Sequence, residues 1–176
     1  ITSLLKEFNI TDDSFFKPFH ADKGRAVHAA THYFDENDLD ESTLSEEVMA
    51  KLEGWKKFRE DYDFVPIASL REKPMVSKIY RFGCTPDAPG RWKNGCPVIC
   101  EIKSGQVNMK AVKLQTAAQQ IVIHENAGLF CHERIVVQLL SDNYKVIELN
   151  QMHAAEDRLE GAALVKIHWL KRRSNG

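Results

Sequence analysis

Apolar positions along this chain follow two periods, and the switches between them mark its elements. Ala26, Val27, Ala30 and Phe34 fall at helical spacing, with Asp22 placed to cap the helix that carries them. An acidic, polar connection follows over 35–45. A second helix is predicted from Ser45 to near Tyr62, with Val48, Leu52, Trp55 and Phe58 on one face and Leu44 set to staple its entry against Val48. The pattern then shortens. Residues 65–72 read as a strand broken by Pro66 and Pro74, 76–85 as a second strand and 97–103 as a third. Asn94-Gly95 closes the loop over 88–95 with a strong hairpin signal, and Ser104-Gly105 ends the third strand. A helix over 109–125 stops near Asn126-Ala127-Gly128. Residues 134–140 and 144–149 then form a hairpin across Ser141-Asp142-Asn143, and a last helix covers 154–171.

The order helix, helix, three strands, helix, two strands, helix predicts an α/β fold with a central mixed β-sheet and helices on both faces. The helix between Lys103 and Arg134 is long enough for a crossover between parallel strands. The sequence has no internal repeat, low-complexity tract or obvious linker. At 176 residues it fits one domain, 1–176, with a sizeable core.

Charge narrows the partners only locally. The formal net charge is −1, so any groove for nucleic acid must come from clustering. Lys17, Lys23 and Arg25, then Arg91 and Lys93, then the basic residues from Lys166 to Arg173 are the candidate clusters, each of which can equally be a solvated face. No apolar stretch approaches the roughly 20 residues that cross a bilayer. The start lacks the basic-then-apolar form of a secretory signal, and without an initiator methionine it is expected to be a trimmed or processed end. The four cysteines, Cys84, Cys96, Cys100 and Cys131, form no Cys-x-x-Cys pair, so buried reduced thiols in a cytoplasmic protein are expected.

The chemistry concentrates in the third strand and the loop before it. Side chains at i and i+2 of a strand share a face, so Glu101 and Lys103 point one way and Cys100 and Ile102 the other. Asp87 stands fourteen residues before Glu101, ahead of the hairpin that turns the chain back onto that strand. Two carboxylates and an ammonium converging there can hold Mg²⁺ or Mn²⁺ and a scissile phosphate, with the backbone carbonyl of Ile102 within the set. Lys103 can orient or deprotonate a water, or stabilise developing charge. Apolar flanks make these charges costly unless they are used. On the first helix Gly24, His28 and His32 stack at successive turns, which offers His28 as a further metal ligand. Gln115 and Gln119, one turn apart, offer amides to a phosphate or to a metal-bound water. Each feature alone has an ordinary reading: a surface Glu–Lys pair, a hydrogen-bonded histidine, a polar helix face.

In order and spacing, Gly24-x-x-x-His28, Gly83-Cys84-Thr85-Pro86-Asp87, Cys100-Glu101-Ile102-Lys103-Ser104-Gly105 and Leu114-Gln115 resemble the PD-(D/E)XK nuclease superfamily, in its RecB-like and phage-exonuclease branch. The likeness covers nearly the whole chain. It implies a restriction-endonuclease-like core with a four-stranded mixed sheet. It also implies metal binding by His28, Asp87 and Glu101, a catalytic Lys103 and a supporting Gln115. Glu72 occupies a place where related phage proteins often carry a glutamate, and is a secondary candidate. The branch often has a tyrosine one turn after the glutamine, where this chain has Gln119, also a secondary candidate.

The expected activity is that of a Mg²⁺- or Mn²⁺-dependent deoxyribonuclease, an exonuclease of phage or prophage origin acting in DNA recombination or repair. The alternatives are a structure- or single-strand-specific endonuclease of the same fold, an RNA-directed nuclease, and a non-catalytic DNA-binding or assembly module. DNA is the expected partner. Related phage systems add a homo-oligomeric ring, or a recombination partner such as a single-strand annealing protein.

Overall fold

A computed structural model of the protein describes residues 2–10, 18–149 and 151–174. Its helices are α1 (Thr2–Glu7), α2 (Pro18–Asp35), α3 (Glu46–Asp61), α4 (Met109–Ala127) and α5 (Ala154–Ser174). Its strands are β1 (Val65–Pro66), β2 (Met75–Ser77), β3 (Phe82–Cys84), β4 (Gly90–Arg91), β5 (Pro97–Lys103), β6 (Glu133–Leu140) and β7 (Asn143–Glu148). The main sheet has five strands in the order β1-β4-β5-β6-β7. Only β5 and β6 are parallel, and α4 is the crossover that joins them. The fold is thus α/β, with a mixed sheet flanked by helices.

Strand alternation divides the core. Val98, Cys100 and Ile102 of β5 and Ile135, Val137 and Leu139 of β6 pack under α2 and α3, against Val27, Leu52, Trp55 and Phe58. Ile99 points to the opposite side, where Ala118, Val122 and Ile123 of α4 and Val165 of α5 cover it. Burial of both faces explains the near-continuous apolar run of β5.

The predicted helix starts and stops hold where a local device sets them. Ser45 accepts from the Val48 N–H and caps α3, and Asn108 does the same for α4 through Ala111. Gly128, at φ +64°, takes the left-handed position that ends α4. Gly95, at φ +82°, makes the β4–β5 turn, with its N–H bonded to the Trp92 carbonyl at 2.8 Å.

Three expectations about the elements fail. Asp22 does not cap α2; it lies inside the helix and pairs with Arg25. The strand expected over 65–72 keeps only Val65–Pro66, and the chain then turns, with the Leu70 and Arg71 N–H groups both on the Ile67 carbonyl. Glu72 therefore sits in a turn. The strand expected over 76–85 folds instead as the β2–β3 hairpin, outside the main sheet. The Ser77 hydroxyl accepts from the Tyr80 N–H, while both Ser77 Oγ and the Lys78 N–H donate to the Glu125 carboxylate of α4. That turn is held by a partner far away in sequence, so no local pattern marks it. Of the cysteines, Cys100 and Cys131 are buried thiols, but Cys96, beside the Gly95 turn, is exposed.

Candidate functional site

β5 supplies the first two groups. Glu101 is only 1 % exposed, and a carboxylate buried that far is tolerated only with partners. Lys103 Nζ donates to its Oε1 at 2.5 Å, and Gln119 Nε2, from α4, donates to its Oε2 at 2.6 Å. Burial opposes the charge on Glu101, but the Lys103 ammonium and the Gln119 amide outweigh it and hold the carboxyl below its ordinary range. Burial likewise works against the Lys103 ammonium, and the carboxylates of Glu101 and Asp87 more than offset it, so Lys103 is displaced upward and stays protonated.

Asp87 comes from the loop between β3 and β4, not from a strand of the sheet. β4 pairs with β5 only as far as Val98 and leaves the rest of that edge open. The loop fills it. The Ala88 N–H donates to the Cys100 carbonyl at 3.1 Å, and Asp87 Oδ2 accepts from the Ile102 N–H at 2.9 Å. The carboxylate stands in for a missing strand neighbour, with Oδ1 left for other ligands. The N–H and C=O of a strand residue point to the same side, so the Ile102 carbonyl faces this edge as well.

α2 and the turn after β1 close the site. His28 Nδ1 lies 3.4 Å from Glu72 Oε1 and 3.8 Å from Asp87 Oδ1. Glu72 has a φ of +48°, uncommon for a residue with a Cβ, and its N–H donates to the Pro86 carbonyl at 2.9 Å. That bond ties the Glu72 turn to the Asp87 loop. A Cβ added at Gly24, one turn before His28, would lie 3.8 Å from Ser104 Oγ, which places α2 against the end of β5.

One ligand atom each from His28, Glu72 and Asp87 lies within 4.8 Å of the others. Burial, then repulsion from Glu101, pushes the Asp87 carboxyl up to about 7, against the pull of His28 and Lys103. Burial lowers His28, but the Asp87 and Glu72 carboxylates outweigh it and raise the imidazole above its ordinary value. Two carboxylates and an imidazole, with a proton held on by burial and by crowding of negative charge, form a donor set that suits a hard or borderline divalent cation.

The sequence-predicted residues divide here. His28, Asp87, Glu101 and Lys103 converge. Glu72, the secondary candidate, joins His28 and Asp87 directly, whereas both oxygens of Glu101 are engaged by Lys103 and Gln119. Gln119 rather than Gln115 holds Glu101; Gln115 is half-buried and makes no hydrogen bond among the described residues. His32 faces Glu36 at 3.6 Å. Sequence reasoning missed the residues behind the site, Thr31, Asp35 and Arg71, of which only the place of Arg71 next to Glu72 gave a sign.

The basic clusters are partly spent on ion pairs. Lys23 pairs with Glu47 at 2.5 Å, Lys93 with Asp63 at 2.8 Å, and Arg91 donates to the Gly95 carbonyl at 2.8 Å. Lys166, Lys171, Arg172 and Arg173 are exposed on α5, and Lys17 lies outside the described residues. Among the described residues no helix is long and apolar enough to cross a membrane. No protein-family model and no curated protein matches the chain.

Proposed function

We propose that the chain is a divalent-metal-dependent deoxyribonuclease of the PD-(D/E)XK type, with a restriction-endonuclease-like core and the exonuclease activity of the RecB-like and phage branch. One observation carries the reading: Glu101, almost wholly buried, shares its ammonium partner Lys103 with the field of Asp87, on the same edge as His28 and Glu72. A fold keeps buried charges of this kind at a cost, and a site that handles phosphate and metal gives them a use.

Asp87 Oδ1, His28 and Glu72 would hold the cation, with the Ile102 carbonyl facing the same edge and Glu101 behind them, its oxygens on Lys103 and Gln119. Bound there, Mg²⁺ or Mn²⁺ supplies Lewis acidity and lowers the pKa of an attacking water. The Ile102 N–H fixes the rotation of the Asp87 carboxylate, and Gln119 fixes that of Glu101. Lys103, protonated and anchored on Glu101, would offer its remaining N–H groups to the phosphate oxygens and the water. Its charge favours the extra negative charge that develops on phosphorus oxygens in hydrolysis. Of the roles the sequence left open for Lys103, charge stabilisation and orientation fit this protonation state, and proton abstraction does not.

Purified protein is expected to degrade linear DNA with Mg²⁺ or Mn²⁺ and to stop when EDTA is added. Lys103→Ala is expected to lower the rate by about 100-fold or more while still binding Mn²⁺. Undiminished cutting by a clean Lys103→Ala preparation would sink this mechanism.

A further inference from the structure

Behind the site lies a buried ionic network that touches none of the three clustered ligand atoms. Arg71 and Asp35 have side chains 1 % and 4 % exposed, with Arg71 Nη1 2.6 Å from Asp35 Oδ2. Asp35, the last residue of α2, also accepts from Trp55 Nε1 at 3.0 Å and from Arg59 Nη1 at 2.5 Å, both on α3. Arg71 Nη2 donates to Thr31 Oγ1 at 3.0 Å, and that hydroxyl donates to the His28 carbonyl at 2.9 Å. The guanidinium carbon lies 5.2 Å from the centroid of the Trp55 ring.

Two features make this more than core filling. Arg71 is the residue before Glu72, and Thr31 is one helical turn after His28. The guanidinium therefore bridges the two segments that carry those ligands, on the side away from the cation. The contact is also imperfect: Arg71 Nε and Nη1 have no hydrogen-bond partner of good geometry. A buried arginine left short of partners contributes little to stability over an apolar side chain of similar size. What it fixes is distance. The left-handed turn at Glu72 needs an outside restraint, and the Arg71 bridge to α2 provides one.

We infer that Arg71, held by Asp35 and Thr31, is a positioning residue that sets the separation of His28 and Glu72 and thereby the affinity of the site for a divalent cation. The inference rests on the metal-binding part of the proposed function and not on DNA cleavage. Groups that hold metal ligands in place typically carry about 10- to 100-fold in affinity.

The test is calorimetric titration of the intact protein with Mn²⁺. Arg71→Met is expected to weaken Mn²⁺ binding by about tenfold or more. Arg71→Lys keeps the charge but cannot reach Thr31 and Asp35 together, and is expected to weaken it as well. Leu52→Ala, on the buried face of α3, serves as a control that lowers the melting temperature and leaves Mn²⁺ affinity unchanged. If Arg71→Met does not fold, Arg71→Lys and Thr31→Val decide the matter in the same way. Parental Mn²⁺ affinity in the folded Arg71 variants overturns the inference, and so does an equal loss in Leu52→Ala. If the unaltered protein binds no Mn²⁺, this inference and the nuclease reading both fall. If it binds Mn²⁺, loses it on Arg71 substitution and cuts no DNA, only the nuclease reading falls.

Discussion

Asp87 answers two demands at once. Its Oδ2 supplies the acceptor that the open edge of β5 lacks at Ile102, and its charge sits in a buried place already occupied by Glu101. The fold therefore favours the neutral carboxyl, whose pKa is about 7 against an ordinary 3.8. The sign follows from linkage. A group raised on folding contributes its full stabilisation below its unfolded pKa and loses it as pH climbs through its folded one. Asp87→Asn keeps an acceptor for the Ile102 N–H and removes the titration. In EDTA, urea denaturation is expected to find this variant more stable than the parent at pH 8, by on the order of 2 kcal/mol, with the gap closing toward pH 4. A variant less stable than the parent at pH 8 contradicts the picture of a charge-crowded site. The same substitution removes a proposed cation ligand, so stability gained in EDTA and Mn²⁺ binding lost should appear together.

At the level of elements, α3 lies closer to the β6–β7 turn than a helix side chain allows. A Cβ on Gly54 would stand 2.2 Å from the Asn143 carbonyl oxygen and 3.0 Å from its carbon, and the Asp142 N–H donates to the Ala50 carbonyl at 2.9 Å. On an isolated helix Gly54→Ala would gain about 1 kcal/mol. Here the added methyl meets backbone, which cannot swing aside, so the cost falls in the upper part, about 2–3 kcal/mol, of the range for overpacking. Chemical denaturation is expected to show a net loss of about 1–2 kcal/mol for Gly54→Ala, and an unchanged midpoint would mean the two elements are not so tightly seated. Element legibility followed the range of the forces. Ser45, Asn108, Gly128 and the Asn94-Gly95 turn act within a few residues, and the boundaries they set were readable. The β2–β3 hairpin is held through Ser77 and Lys78 by Glu125 of α4, and a run of residues read locally as one strand became two.

For the whole molecule, a net charge of −1 gives no general attraction to DNA, so under the proposed function binding would come from a cation at the site and from local basic side chains. Several of these are already in ion pairs, which leaves the exposed basic end of α5 as the largest group of described cations that could reach a phosphate backbone. Whether cutting needs a strand end belongs to this scale too. Closed circular single-stranded DNA is expected to survive incubation with Mn²⁺ while the same DNA, linearised, is degraded. Opening of the circle, followed on a denaturing gel, would move the reading to an endonuclease.

The sequence by itself determined the alternation that puts Glu101 and Lys103 on one face of β5, the crossover helix that makes β5 and β6 parallel, and the order in which the candidate ligands arrive. Those follow from periodicity and from short-range chemistry. Only the tertiary structure decided which ligands meet. Glu72 reaches His28 because a turn replaces the expected strand and is tied to Pro86 and, through Arg71, to Thr31. Gln119 rather than Gln115 reaches Glu101 because the packing of α4 on the sheet fixes which turn of the helix lies over that residue. Such contacts join segments far apart along the chain, and their geometry is set by packing and by the need to satisfy buried polar groups, neither of which leaves a periodic mark in the sequence.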